Sequence, residues 1–392
     1  MRPGRGGGRL EKGRRAYEEH LGRRVNAARK IRRAAWRLGV CGLLLLWILQ
    51  SIFLNEGRLA WERQGQSWPG LSRWQQWQAA WSSGPRELWH TLTLVDGTAL
   101  LLSLVLMGVT IVLGVFRWRM VLRVHGLELS LGRAAEISFI AHFFNSFLLG
   151  STGGDLLKAY YAARETHHKK TQAVVTVVVD RLLGLFAMLV FACLMMVPNL
   201  SLLHRHKRLA ALAGVILLMT AGCGLVIGLS FWRGFSRLWP RSRARLRKLP
   251  KGELLEQCLD ACREFGRDRA FLWKAMGVSM LLNLVCVLQL LALANGLKLN
   301  ISPLALGVIV PMIICVSALP VTPSGLGVRE NLYVLMLAVP ELNVAATQAL
   351  SLSLLAYAGT LFWSLLGGMV YASLKERHHL AEVAQPDSVS AN

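Results

Sequence analysis

The stretch FFNSFLLGSTGGDLLK, residues 143–158, carries a long apolar run into Ser151-Thr152-Gly153-Gly154 and resumes it directly behind Asp155 and Lys158. A second break of the same kind comes late in the chain, at LPVTPSGLGVRE, residues 319–330. Backbone without helical hydrogen bonds is tolerated at membrane depth only where it is buried in protein or lines a wet cavity. Charges at that depth are costly and mark function. One break in each half of the chain therefore points to an internal site for a polar or charged substrate.

The rest of the sequence supplies the membrane. The chain has 392 residues, 54% of them hydrophobic, with a mean hydropathy of +0.42. Several apolar runs approach the roughly 20 residues that a helix needs to cross a bilayer. A net charge of +23 could suggest a nucleic-acid partner. Its distribution argues against one, because the basic residues flank the apolar runs, as expected for cytoplasmic anchoring against anionic lipid. Five of the seven cysteines (Cys41, Cys193, Cys223, Cys286 and Cys315) sit in apolar runs as small hydrophobes. Cys258 and Cys262 stand one helical turn apart, without a further Cys/His pair at zinc-site spacing. The sequence thus predicts no metal site and no cofactor.

The expected organisation is a basic cytoplasmic arm (residues 1–37), a transmembrane domain (38–375) and a cytoplasmic tail (376–392). Six full spans are expected near 38–54, 98–116, 174–197, 209–232, 270–294 and 345–374, with the two broken hairpins between them. Residues 55–97 are rich in tryptophan. Trp74, Trp77 and Trp81 are spaced for one helix face, which suits an external interfacial segment. Residues 233–269 read as a basic cytoplasmic loop. Charge parity puts both termini inside. It lets the first hairpin enter from the cytoplasm and the second from outside, the pattern of an inverted repeat. Two complete spans would satisfy the charges around the first break equally well.

The two tips carry the candidate chemistry. At the first, Ser151, Thr152, Gly153 and Gly154 open the backbone before a helix beginning near Asp155. Glycine permits the turn, and a helix N-terminus suits a phosphate. Ser151 or Thr152 could equally be a simple N-cap. Lys158, one turn on, could bind an anion or snorkel to the interface. Asn145 precedes this tip and could line the same cavity or join two helices. At the second tip Pro320, Pro323, Gly325 and Gly327 break the run, and Arg329 and Glu330 open the next arm. Arg329 could hold a phosphate through its bidentate fork or pair with Glu330 or Asp155. Asp180 and Arg181 are adjacent on a predicted span and diverge by about 100°, so each needs a partner elsewhere. Asp180–Lys158 and Arg181–Asp155 are the candidate pairs. No P-loop, GxSxG elbow or metal-ligand cluster is present. Leu326 stands where a lipid phosphatase with a Ser-Gly-His motif would place its histidine.

Together these residues resemble one family, the lysylphosphatidylglycerol synthase transmembrane region, also called flippase-like integral membrane proteins. The resemblance rests on Asn145 with Gly153-Gly154-Asp155-Leu156-Leu157-Lys158, on Asp180-Arg181, and on Pro323-Ser324-Gly325-Leu326-Gly327-Val328-Arg329-Glu330. It covers residues 98–375, and its last motif is the most specific. The family's first tip reads as a Pro- and Arg-containing loop followed by Gly-Glu. Ser-Thr-Gly-Gly-Asp replaces it here, which leaves the headgroup preference open. The resemblance implies a bacterial or archaeal cytoplasmic-membrane protein that moves lipid between leaflets. In the synthases a soluble aminoacyl-transfer domain follows this region. Only a short polar tail follows Leu374 here, so synthase activity is not expected.

The reading is an all-α polytopic transporter, not an enzyme, whose partners are the membrane and an anionic phospholipid or lipid-linked phosphate. A scaffold for an envelope glycolipid or polymer system is the rival, in which the tip charges are structural and the basic segments recruit a partner. A membrane-embedded transferase is a third reading and lacks a catalytic set.

Overall fold

A computed structural model describes residues 68–147, 153–165, 170–231, 268–318 and 327–383, with isolated positions between 50 and 61. The basic arm, most of the first expected span, most of the 233–269 loop, Ser151, Thr152, Pro320, Pro323 and Gly325 lie outside the described residues. The described residues form helices: α1 (Arg73–Thr93), α2 (Gly97–Val124), α3 (Leu131–Phe147), α4 (Gly153–Glu165), α5 (Lys170–Met196), α6 (Leu200–Arg205), α7 (Lys207–Phe231), α8 (Arg269–Gly296), α9 (Pro303–Ser317), α10 (Val328–Leu337) and α11 (Ala346–Val383).

Among them, four stretches are long and apolar enough to cross a membrane: Gly97–Val124, Thr171–Arg205, Ala270–Gly296 and Ala346–Ser373. They match four of the six expected spans. The expected span at 209–232 forms a helix whose apolar part, Leu209–Leu225, is shorter. Helix α11 runs on past the expected end of the last span, to Val383. The exposed apolar residues of α2 make the solvent of this surface plain. Leu101, Leu102, Val105, Val109, Val112 and Phe116 line one side, while Gly108, Val115, Trp118 and Leu122 are buried on the other. Such a stripe suits lipid tails.

The order of contacts orients the bundle. Helices α2 and α8 run antiparallel along each other. The Asp96 N–H donates to the Gly296 carbonyl (3.1 Å) at one end, and Val121 meets Phe271 and Ala275 in one apolar cluster at the other. Val175, near the start of α5, belongs to that second cluster. Helix α5 therefore runs away from it. Near the first end Asn199 donates from Nδ2 to the carbonyls of Met195 (3.0 Å) and Leu304 (2.9 Å), which ties the end of α5 to the start of α9.

This frame places both broken hairpins. Helix α3 begins beside the end of α2, where Arg119 Nε donates to the Leu129 carbonyl (3.1 Å). Helix α4 ends at the same place, because Arg133 near the start of α3 pairs with Glu165 at the end of α4 (2.7 Å). Helix α9 enters from the opposite end, beside Asn199, and the segment after α10 returns there, where Glu341 pairs with His206. The hairpins thus open toward opposite ends of the bundle. Their arms have 17, 13, 15 and 10 residues. At 1.5 Å per residue the longest reaches about 26 Å, short of the ~30 Å hydrocarbon core.

Close packing of backbones holds the first hairpin. A Cβ on Gly154 of α4 would lie 1.8 Å from the Ala141 carbonyl oxygen, and one on Gly367 of α11 would lie 2.1 Å from the Phe139 carbonyl oxygen. Helix α3 is therefore gripped from two sides by glycine contacts, as small residues allow in membrane bundles. Helix α9 takes the centre of the core. From Ala305 to Ile313 every residue is buried, and a helix apolar on all sides belongs there. Helix α1 packs one face on α11 through Ala80 and Leu350. Its tryptophans run along the side, with Trp74 stacked on Trp77 (5.0 Å) and Trp77 against Trp81 (5.9 Å).

Candidate functional site

The start of α4 is set by the residues that precede the break. Asn145, near the end of α3, accepts from the Gly154 N–H through Oδ1 (2.8 Å). It satisfies one of the first N–H groups of α4, which have no partner within their own helix. Asn145 thus joins the two arms, the second of the two roles its position allowed. Gly154 must be glycine for the approach to Ala141 described above. Asp155 and Lys158 follow on α4, and both reach α5.

Both expected pairs form. Asp155 accepts from Arg181 Nε, and Lys158 Nζ lies 3.4 Å from Asp180 Oδ2. The stronger partner of Asp180 is Arg117, whose place after the apolar run is that of an interfacial anchor. Arg117 Nε on α2 donates to Asp180 Oδ1 at 2.8 Å, and its Nη1 donates to Ser279 Oγ on α8 (3.2 Å). Gly184, one turn beyond Asp180, makes room for this guanidinium, since a Cβ there would lie 2.8 Å from it. The Lys158 ammonium also sits over the Trp118 ring, 4.2 Å from its centre. The core of this group is nearly closed to the surface, with side-chain exposures of 13% for Arg117, 11% for Lys158 and 8% for Asp180. Arg181 is half-exposed at its edge. Asp180 stands ten residues into α5, about 15 Å along the axis, half the thickness of a bilayer core.

The second tip is built differently. Gly327 has φ = +83°, which a side chain would resist. Its N–H donates to Glu330 Oε2 (2.6 Å), so the glutamate caps the helix it sits on. Arg329 donates from Nη2 to Glu330 Oε1 (2.6 Å) and from Nε to Ser353 Oγ on α11 (3.3 Å). Its guanidinium carbon lies 4.7 Å from the Tyr357 ring centre. Glu330 is fully buried. Arg329 takes Glu330 as its partner, one of the two pairings its position allowed, and Asp155 is taken by Arg181. The capping role of Glu330 starts α10 at Val328.

These are spans, broken hairpins and tip motifs in one arrangement, and comparison with known families identifies it. The family described as lysylphosphatidylglycerol synthase TM region matches residues 72–368. The chain belongs to that family. No curated protein matches it. The match takes in α1 through most of α11, hence the whole of both charged groups. Membership of the lysylphosphatidylglycerol synthase TM region places the protein among multi-pass membrane proteins of lipid-related processes. Arg117 directly follows the expected span 98–116, the place of an interfacial anchor, and its turn inward beside Gly184 is seen only in the packing.

Proposed function

We propose that the protein moves a phosphate-bearing lipid between membrane leaflets, with the group at the first hairpin holding the headgroup. One observation carries this reading. Three cations, Arg117, Lys158 and Arg181, face two carboxylates, Asp155 and Asp180. Among the described residues one positive charge is left in excess at this group, at mid-depth, near the start of α4. An unbalanced buried charge is costly, and a phosphate supplies the missing negative charge. Lys158 is the cation held most loosely. Arg117 has the short bond to Asp180, whereas Lys158 stands 3.4 Å away and leans on an aromatic face.

Two hairpins that open toward opposite ends suit alternating access, each arm unsealing the site toward one leaflet. Asp155 and Asp180 orient the cations in this scheme. Arg329 is a second anion contact, held ready by Glu330, Ser353 and Tyr357. Basic residues gather at the end where α3 enters (Arg119, Arg123, Arg133, Arg164, Lys170). By the positive-inside rule that end faces the cytoplasm, and the chain sits in a cytoplasmic membrane with both termini inside. The chemistry needed is binding and release, without bond making.

The test is leaflet exchange in liposomes containing the purified protein and fluorescent phosphatidylglycerol or phosphatidylcholine. Faster exchange of the anionic lipid than of the zwitterionic one is expected. No exchange of any lipid by folded protein would favour the scaffold reading.

A further inference from the structure

At the end of the bundle where α9 enters, a cavity of about 540 Å³ opens between α7 and α10. Its size lies within the roughly 300–1,000 Å³ of small-ligand sites. Leu212, Leu335 and Val339 are among its apolar walls, and Arg205, His206 and Lys207 form its rim. The rim falls between two apolar stretches, Thr171–Arg205 and Leu209–Leu225. Its height is therefore that of lipid headgroups, while the walls continue into the apolar region. Among the described residues one carboxylate faces the rim. Glu341, in the segment after α10, pairs with His206 and stands 3.9 Å from Arg205. Arg205 and Lys207 outnumber it, and both are exposed. Lys207 also opens α7, a helix of 25 residues, whose N-terminal N–H groups favour an anion.

We propose that this groove binds an anionic phospholipid of the surrounding leaflet, its phosphate on Arg205 and Lys207 and its acyl chain along the wall of α10. The site is separate from the group around Lys158. It meets the transport machinery through α10, whose first turn carries Arg329 and whose last turn lines the groove, and through α7, which packs against α5. The proposal does not depend on transport.

Full-length protein in detergent is titrated with phosphatidylglycerol and with phosphatidylcholine, and the rise in melting temperature and bound lipid by native mass spectrometry are read. Phosphatidylglycerol is expected to bind more tightly. Each basic residue beside an anionic lipid contributes about fivefold, so R205Q/K207Q is expected to lose most of that preference while melting like wild type without lipid. Leu212→Trp, which fills the groove, is expected to weaken both lipids. The proposal is overturned if R205Q/K207Q keeps its preference for phosphatidylglycerol, if Leu212→Trp binds both lipids as wild type does, or if Lys158→Gln alone removes the preference. Loss of leaflet exchange in Lys158→Gln with the preference intact leaves this site standing. Retained exchange in R205Q/K207Q shows that the two sites are independent.

Discussion

Asp180 is the residue on which the first charged group turns. It compensates Arg117 and Lys158 at once, so Asp180→Asn leaves two cations facing each other in the bundle. Removing one member of a buried ionic group costs about 3–5 kcal/mol, and a loss of that size is expected in reversible unfolding in detergent. Arg181→Gln touches a pair that is half-exposed. Such pairs contribute under about 1 kcal/mol, so its melting temperature should stay close to wild type. Equal effects of the two variants would mean that the group is not organised around Asp180. The sequence made half of this visible. Two adjacent, oppositely charged residues in an apolar run cannot pair with each other, and that alone pointed to Lys158 and Asp155. Arg117 was hidden because an arginine near the end of a span has the signature of an anchor. Only packing shows that it turns inward, into the space left by Gly184.

At the scale of elements, α3 is a helix held by its neighbours' glycines. Gly154→Ala and Gly367→Ala each drive a methyl group into a carbonyl oxygen of α3. Overpacking of this kind costs typically about 1–3 kcal/mol. Both variants should melt lower, and Gly154→Ala should also disturb the start of α4, where Asn145 holds the same residue. Gly114→Ala on α2, where a Cβ meets open space, is the control and should melt like wild type. The cap of α2 adds a pH dependence. The Thr98 hydroxyl, and then the Ala99 N–H, hold the Asp96 carboxyl below its ordinary value. A depressed carboxyl stabilises the fold above its unfolded-state value and stops doing so as pH falls through the folded one. Wild-type protein should therefore lose stability below the ordinary aspartate range, and Asp96→Asn should lose less over the same interval. Hairpins with arms too short to span were legible from the spacing of glycines and prolines. The Glu330 cap was not, because a glutamate beside an arginine suggests an ion pair before it suggests a bond to a backbone three residues back.

For the whole molecule, the decisive feature is that two broken hairpins open to opposite ends around charges at mid-depth. Charge parity along the sequence anticipated that opposition. The contacts Arg133–Glu165 and Asn199–Leu304 express it in the fold. What parity could not convey is how the two tips divide the work. Among the described residues the first carries excess positive charge, whereas Arg329 at the second is matched by Glu330. The central claim is that the excess charge serves the lipid, and Lys158→Gln tests it most directly. Without Lys158, Arg117 and Arg181 match Asp180 and Asp155 one to one. The variant is therefore expected to fold as stably as wild type or more so, as when strain kept for function is relieved. Its exchange of phosphatidylglycerol between leaflets should fall at least about tenfold, the loss of roughly one charge-assisted hydrogen bond to the headgroup. A stable variant that exchanges the anionic lipid at the wild-type rate would contradict the account.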